Sequence, residues 1–155
     1  MNDVIQSSVA DIMMAAPAYE AIVNPVNCVG VMGSGLAREI KFAYPDNFIA
    51  YLGACTRREV WPGKMFVFDR ETAMKPKFII NFPTKQHWRQ SSRLEDIEAG
   101  LISLAQEIES REITSIAIPA LGCGLGGLDW ADVKPRILAA LRPFKNLHTL
   151  LCEPQ

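Results

Sequence analysis

Ser115-Ile116-Ala117-Ile118-Pro119-Ala120-Leu121-Gly122-Cys123-Gly124-Leu125-Gly126-Gly127-Leu128-Asp129 changes character twice. Ser115–Ile118 has the composition of a short buried strand. A glycine-rich turn follows, and Asp129 then stands where a helix cap belongs, with Asp132 at N3 and Val133, Ile137, Leu138 and Leu141 at helical spacing. Pro135 falls early enough in that helix to cost one hydrogen bond or a bend rather than the helix itself. The same order occurs upstream. Ala21–Val23 reads as a strand, the loop Asn24-Pro25-Val26-Asn27-Cys28-Val29-Gly30-Val31-Met32-Gly33-Ser34-Gly35 follows, and a helix runs from Gly35 to Ala43, stopped by Pro45.

Working outward, further strands are expected at Val4–Val9, Met65–Asp69, Phe78–Phe82 and His148–Cys152. Several are continuously apolar, as strands covered on both faces are. Ser92-Arg93-Leu94-Glu95 reads as a capping box opening a helix whose buried face is Leu94, Ile97, Leu101, Leu104 and Ile108. Another helix is expected over Asp46 to Arg57, with Phe48, Tyr51 and Leu52 inward. Helices interleaved with apolar strands predict a three-layer α/β/α sandwich, and no linker or repeat divides residues 1–155 into more than one domain.

Composition narrows the function. Sixteen Lys and Arg oppose seventeen Asp and Glu, and neither half of the chain is strongly charged, which argues against a long duplex grip through many phosphates. Contact with a short or single-stranded nucleic acid remains open. Cys28, Cys55, Cys123 and Cys152 form no CxxC pair, and His87 and His148 complete no zinc motif, so no metal site is expected. Four reduced thiols, no secretory apolar segment and no membrane-length run point to a cytoplasmic protein.

The glycine loops match neither the P-loop order nor a dinucleotide fingerprint. Their chemistry still suits an anion: inward-turned backbone N–H groups, followed by a helix N-terminus, favour negative charge. Two such loops at the carboxyl ends of neighbouring strands can clamp a diphosphate; tight turns and close packing are the competing use. Asn24 and Asn27 offer both donor and acceptor to ribose hydroxyls, or serve as Asx-turns. Asp11 is placed either to accept from an adenine amino group or to cap a helix.

The loop Thr84-Lys85-Gln86-His87-Trp88-Arg89-Gln90-Ser91-Ser92-Arg93 presents four basic or titratable side chains around a tryptophan, a combination that stacks a base and neutralises a few phosphates. A solvated loop with its indole over the core edge is the plainer reading. An ordinary lysine leaves only about one amine in 2,500 neutral at pH 7, so a nucleophilic Lys85 needs burial or a nearby cation. A cysteine–histidine pair using Cys28 or Cys123 with His87 is a weaker candidate. His148 lies in an apolar strand, as a core or edge residue. The acidic run Glu95-Asp96-Ile97-Glu98 reads as a complement to its helix dipole rather than a metal site.

Asp11-Ile12, Asn24 to Asn27, the loop to Gly35 and Pro119 to Gly127 together resemble a macrodomain, and the resemblance covers nearly the whole chain. Asn27 to Gly33, Ile80 to Arg89, Ser92 to Ile97 and Leu121 to Trp130 narrow it to the macrodomains of DarG antitoxins, DNA ADP-ribosyl glycohydrolases related to the human terminal ADP-ribose glycohydrolase. The resemblance implies a central mixed sheet and an ADP-ribose cleft at its carboxyl edge. Asp11 and Ile12 would then meet adenine; Gly33, Ser34 and Gly35 would line one side of the diphosphate, and Gly122, Cys123, Gly124, Leu125 and Gly126 the other. Asn27 would address the distal ribose, Lys85 would carry the hydrolysis, and His87, Trp88 and Arg89 would contact DNA. It also implies a DarT-type ADP-ribosyltransferase as partner. Two positions depart from relatives: Gly126 stands where the human enzyme has an aspartate, and Ser34 where bacterial relatives often carry lysine.

The expected activity is therefore metal-free, cofactor-free removal of ADP-ribose from a DNA base, thymine preferred, by a monomer acting on single-stranded DNA. Three other readings stay open: a non-catalytic ADP-ribose reader, a hydrolase of protein-linked or ester-linked ADP-ribose, and a module that masks a toxin.

Overall fold

Among the described residues, five of the six strands are parallel because helices return the chain between them. The computed structural model describes residues 3–7 and 11–154. Its strands are β1 (Asp3–Ser7), β2 (Ala21–Val26), β3 (Phe66–Asp69), β4 (Phe78–Pro83), β5 (Ser115–Ile118) and β6 (His148–Cys152). They form one sheet in the order β1-β6-β5-β2-β4-β3, with only β3 antiparallel to its neighbour. The central sheet is thus mixed, as the resemblance implies. Residues 8–9 of the expected first strand lie outside the described residues.

The helices are α1 (Ile12–Ala15), continued by a 3-10 turn at Ala16–Ala18, then α2 (Gly35–Ala43), α3 (Pro45–Thr56), α4 (Leu94–Ser110) and α5 (Trp130–Leu141). α4 and α5 cover one sheet face: Ile97, Leu101, Leu104, Ile108, Val133, Ile137 and Leu141 pack on Val23, Ile80, Phe82, Ile116 and Ile118. Ile12, Ala16 and Ile40 cover the other face, over Ile22, Ile79, Ala117 and Leu150. These are the three expected layers. Gly100 lets α4 approach β4, since a Cβ there would meet the Phe82 ring.

β2 runs three residues past the expected Ala21–Val23, through Pro25. Beyond Ile22 it pairs only with β4, so a proline lacking its N–H breaks no bond toward β5. Because β4, β2 and β5 are adjacent and parallel, the loops after all three leave the same sheet edge side by side.

Four local expectations are corrected. No capping box opens α4: Arg93 takes the cap position without a side-chain bond, and Ser92 is buried with its Oγ unpartnered. The Ser92 N–H instead donates to the Gly126 carbonyl at 2.9 Å, which pulls its side chain under the second glycine loop. α3 starts at Pro45, and Leu52 faces solvent while Asn47, Tyr51 and Ala54 are buried, because this helix packs along a narrower stripe than its apolar residues suggest. Met65 precedes β3 instead of starting it. His148 is exposed at the first residue of β6, with its Nδ1 3.4 Å from an Asp3 carboxylate oxygen. The Asp129 cap is realised, its carboxylate accepting from the Ala131 N–H, and α5 continues through Pro135.

Candidate functional site: a cleft at the carboxyl edge of the sheet

A cleft of about 630 Å³ opens where the loops after β2, β4 and β5 meet. Asn27, Gly33, Ser34, Gly35, Lys85, Trp88, Gly122, Gly124, Leu125 and Gly126 line it, so residues far apart in sequence share one cavity. Pro25, Val31, Leu36, Thr84 and Ala120 also line it and were not singled out from sequence. Single positions at a strand end, a helix start or a loop carry no pattern that distinguishes a cavity wall from a core.

The loops are pinned to one another. Cys28 N–H donates to the Gln86 carbonyl at 2.8 Å, and Thr84 N–H to the Val26 carbonyl at 2.9 Å, which ties the Lys85 segment to the end of β2. Gly122, at φ 74°, takes a left-handed conformation, and its carbonyl accepts from Leu128 N–H at 2.9 Å to close the second glycine loop. The backbone at Gly33-Ser34-Gly35 runs directly into α2, whose first turn holds no acidic residue. Lys85 is the one charged side chain among the described lining residues. A dianionic diphosphate would meet backbone N–H groups, a helix N-terminus and one ammonium there, with no carboxylate opposing it.

Asn27 is 6% exposed and heavily engaged. Its Oδ1 accepts from Val29 N–H at 3.1 Å and Val31 N–H at 3.3 Å, while its Nδ2 donates to the Val31 carbonyl at 2.7 Å. The expected Asx-turn is thus realised in a residue that also lines the cleft. Asn24 is fully buried behind the cleft, donating to Asn81 Oδ1 at 3.0 Å, and does not line the cavity. It braces β2 against β4 rather than facing a ribose.

Several expected site residues do not line the cleft. Asp11 caps α1, its carboxylate accepting from Met13 N–H at 2.8 Å, and Ile12 is buried in the core. His87 and Arg89 stand around Trp88 instead, the imidazole 5.1 Å from the indole and the Arg89 guanidinium 4.7 Å from it. The His87 Nδ1 accepts from Arg89 N–H at 3.1 Å, which fixes this turn locally. Trp88 is half exposed at the cavity mouth. Cys123 lies in the second glycine loop without lining the cavity, its thiol directed at the Leu121 carbonyl.

Neither cysteine suits nucleophilic chemistry. Burial pushes the Cys28 thiol up to about 12 and that of Cys123 up to about 11, so both hold their protons at neutral pH. Iodoacetamide at pH 7.5 is expected to leave both unmodified in the folded protein, as mass spectrometry would read. Stability carries the same signature. The unfolded chain releases these protons near 9.0 while the folded chain still holds them, so stability falls as pH rises above about 9. The thermal midpoint should drop between pH 9 and 11, and less steeply in Cys28→Ala.

The acidic run at the start of α4 serves the helix: Glu95 pairs with Arg93 at 3.2 Å and Glu98 with Arg136 at 2.7 Å. A larger hollow of about 940 Å³ is lined by residues of α4, α5 and the segments that follow them, aliphatic ones such as Leu101, Ile102 and Leu147 beside charged ones such as Glu109, Glu112 and Lys145.

Gly126 is the most crowded position in the site. A Cβ there would come within 2.5 Å of the Gly122 carbonyl oxygen and would also meet Ser92 Oγ. The departure from the human enzyme's aspartate is therefore built into the backbone. Asp129 does not replace it, since its carboxylate caps α5.

A family model described as Macro domain matches residues 23–137, which span all three cleft loops. The chain is a macrodomain. It is 46% identical to the structure described as the macrodomain of Mycobacterium tuberculosis DarG, with a TM-score of 0.92, covering 100% of this chain and 99% of that one. The macrodomain is thus of the DarG type. Curated relatives named DNA ADP-ribosyl glycohydrolase are 51% identical over 135 residues in Mycobacterium tuberculosis and 48% over 142 residues in Thermus aquaticus. These matches cover 87% and 92% of this chain but only 38% and 39% of those relatives, so the macrodomain spans about two-fifths of their length. Thermosipho africanus DarTG, solved in complex with ADP-ribose, superimposes with a TM-score of 0.87 at 31% identity, covering 97% of this chain and 42% of that one. Among the described residues, no helix of the macrodomain is long and apolar enough to cross a membrane.

Proposed function

We propose that this macrodomain removes ADP-ribose from a DNA base, thymine preferred, by hydrolysing the N-glycosidic bond to the distal ribose. The observation that carries the reading is the placement of Lys85. Among the described residues it is the one cation lining a cleft whose other walls include two glycine loops, and Trp88 stands at the mouth. The relatives named DNA ADP-ribosyl glycohydrolase support the same reading.

The glycine loops clamp the diphosphate, and that remote binding energy holds the distal ribose against Lys85 and Asn27. Departure of the base builds oxocarbenium character at the anomeric carbon. As nucleophile, the Lys85 amine attacks that carbon while its bond to the base breaks, the base leaves with the proton the amine gives up, and the adduct ring-opens to an imine that water hydrolyses to release Lys85. The net reaction adds one water across the bond. A protonated Lys85 would instead donate to the departing base. Trp88 stacks the modified base or its neighbour, flanked by His87 and Arg89, which favours an unpaired strand.

The enzyme acts as a monomer. Its transferase partner is of the DarT type, in keeping with a curated Thermosipho africanus relative named as a DNA ADP-ribosyl transferase–glycohydrolase fusion. Four free thiols suit a reducing cytoplasm.

The test follows ADP-ribose release from a single-stranded oligonucleotide carrying one ADP-ribosylated thymine, in competition with guanine-linked and protein-linked substrates. Thymine release should be fastest. Faster release from protein, or tight ADP-ribose binding with no turnover on any substrate, would replace this assignment. Trp88→Ala should raise KM for the oligonucleotide by about tenfold or more, the worth of one stacked base, while ADP-ribose affinity changes much less.

A further inference from the structure

Tyr51 is expected from sequence only to face inward, yet its hydroxyl reaches the wall of the cleft. The side chain is fully buried on α3, and its O–H lies 2.8 Å from both the main-chain oxygen and the Oδ1 of Asn27. That Oδ1 already accepts from the N–H groups of Val29 and Val31. Oδ1 thus faces two N–H donors and the Tyr51 hydroxyl, whose single proton serves both Asn27 oxygens.

The two ends of an asparagine amide have nearly the same shape, so only its partners decide which end faces a ligand. Turning this amide over would set an NH2 group against the Val29 and Val31 N–H groups and its oxygen against the Val31 carbonyl. In the orientation held here, Nδ2 donates to the Val31 carbonyl with one of its two hydrogens, and Asn27 lines the cleft. Burial pushes the Tyr51 phenol above its ordinary value, so it stays a donor throughout the physiological range. Val29 and Val31 belong to the same loop as Asn27 and move with it. Tyr51 is the member of the set that comes from a helix, buried beside Asn47 and Ala54.

We propose that Tyr51 is the positioning residue that locks the Asn27 amide with its N–H toward the cleft, so that this end of the site selects an oxygen acceptor of the distal ribose. The proposal rests on reading the cleft as an ADP-ribose site. It adds the reason that Asn27 acts there as a donor.

The test compares ADP-ribose with ADP, which lacks the distal ribose, by titration calorimetry on the wild type, Tyr51→Phe, Asn27→Ala and the double variant. Tyr51→Phe should lose up to about tenfold of ADP-ribose affinity, the worth of one neutral hydrogen bond, with ADP affinity unchanged. In the Asn27→Ala background the same substitution should change nothing, because its route to the ligand is gone. Equal losses for both ligands, or an undiminished loss in the Asn27→Ala background, would overturn the proposal. Asn27→Asp provides a test that leaves Tyr51 in place. It keeps an acceptor for the Val29 and Val31 N–H groups but replaces the N–H by an oxygen that opposes the Val31 carbonyl, so it too should lose the preference for ADP-ribose over ADP; retained preference counts against the proposal. A wild type that does not distinguish ADP-ribose from ADP would overturn the reading of the cleft itself, before any variant is compared.

Discussion

Replacing Lys85 by alanine is expected to lower ADP-ribose release from the thymine-linked oligonucleotide on the order of 10³-fold, within the range typical of a lost catalytic proton-transfer group. Affinity for ADP-ribose should fall far less, because backbone N–H groups and the start of α2 remain to hold the diphosphate. Single-turnover kinetics beside calorimetry on the same preparation would separate the two. Lys85→Arg divides the two chemical roles. A guanidinium stays protonated and cannot attack carbon, yet it keeps the charge that would assist the departing base. Covalent participation predicts that arginine is as inactive as alanine, and that cyanoborohydride traps an adduct on Lys85 in the wild type. Substantial activity in the arginine variant would assign Lys85 an electrostatic role, in which its charge rather than a transferred proton assists the departing base. Full turnover in the alanine variant would remove it from the mechanism.

The second large effect is expected at Gly126. Gly126→Asp would supply the carboxylate that the human relative places beside its lysine, but the backbone leaves no room for it. The Cβ would press on the Gly122 carbonyl at 2.5 Å and on Ser92 Oγ. That carbonyl cannot retreat freely, since it accepts the Leu128 N–H that closes the loop. A loss of stability on the order of 1–3 kcal/mol is expected, as for overpacked positions. A displaced diphosphate loop should also lower turnover by about 10²-fold, the effect of roughly an ångström of misplacement. Gly126→Ala distinguishes sterics from charge, because it carries the same Cβ without the carboxylate. Equal damage from both in thermal unfolding and turnover would establish crowding as the cause. Normal stability for either would show that the loop yields more easily than its hydrogen bonds imply.

Gly126 also explains why an expected helix cap failed. Ser92 and Glu95 have the spacing of a capping box, which is a local rule. The Ser92 N–H is instead drawn to the Gly126 carbonyl, a residue more than thirty positions away, and the side chain goes with it. Leu52 faced outward for a related reason. Periodicity marks which residues are apolar, but the helices and loops that arrive from elsewhere decide how wide a stripe each helix buries. Asp11 had two roles open to it, and the structure shows the cap.

Other features were readable from local chemistry alone. Continuous apolar runs marked strands that are covered on both faces. Pro45 ended α2, and Asp129 began α5 with its own carboxylate. The glycine loops and the Lys85 segment were recognisable because they concentrate residue types that a packed core does not need. Each of these signals depends on neighbours within a turn or two of chain, where propensity and side-chain chemistry act directly.

Strand order belongs to another scale. Nothing local sets β2 between β4 and β5, yet that adjacency brings Asn27, Lys85 and Gly122 to one cavity. The same applies to Tyr51, whose hydroxyl meets Asn27 only when α3 packs beneath the first loop. Local residue chemistry thus decided which segments form strands, helices and ligand-competent loops. Only the folded arrangement decided which groups meet and which face of an amide is left for a ligand, because those outcomes depend on contacts between residues that the chain itself keeps far apart.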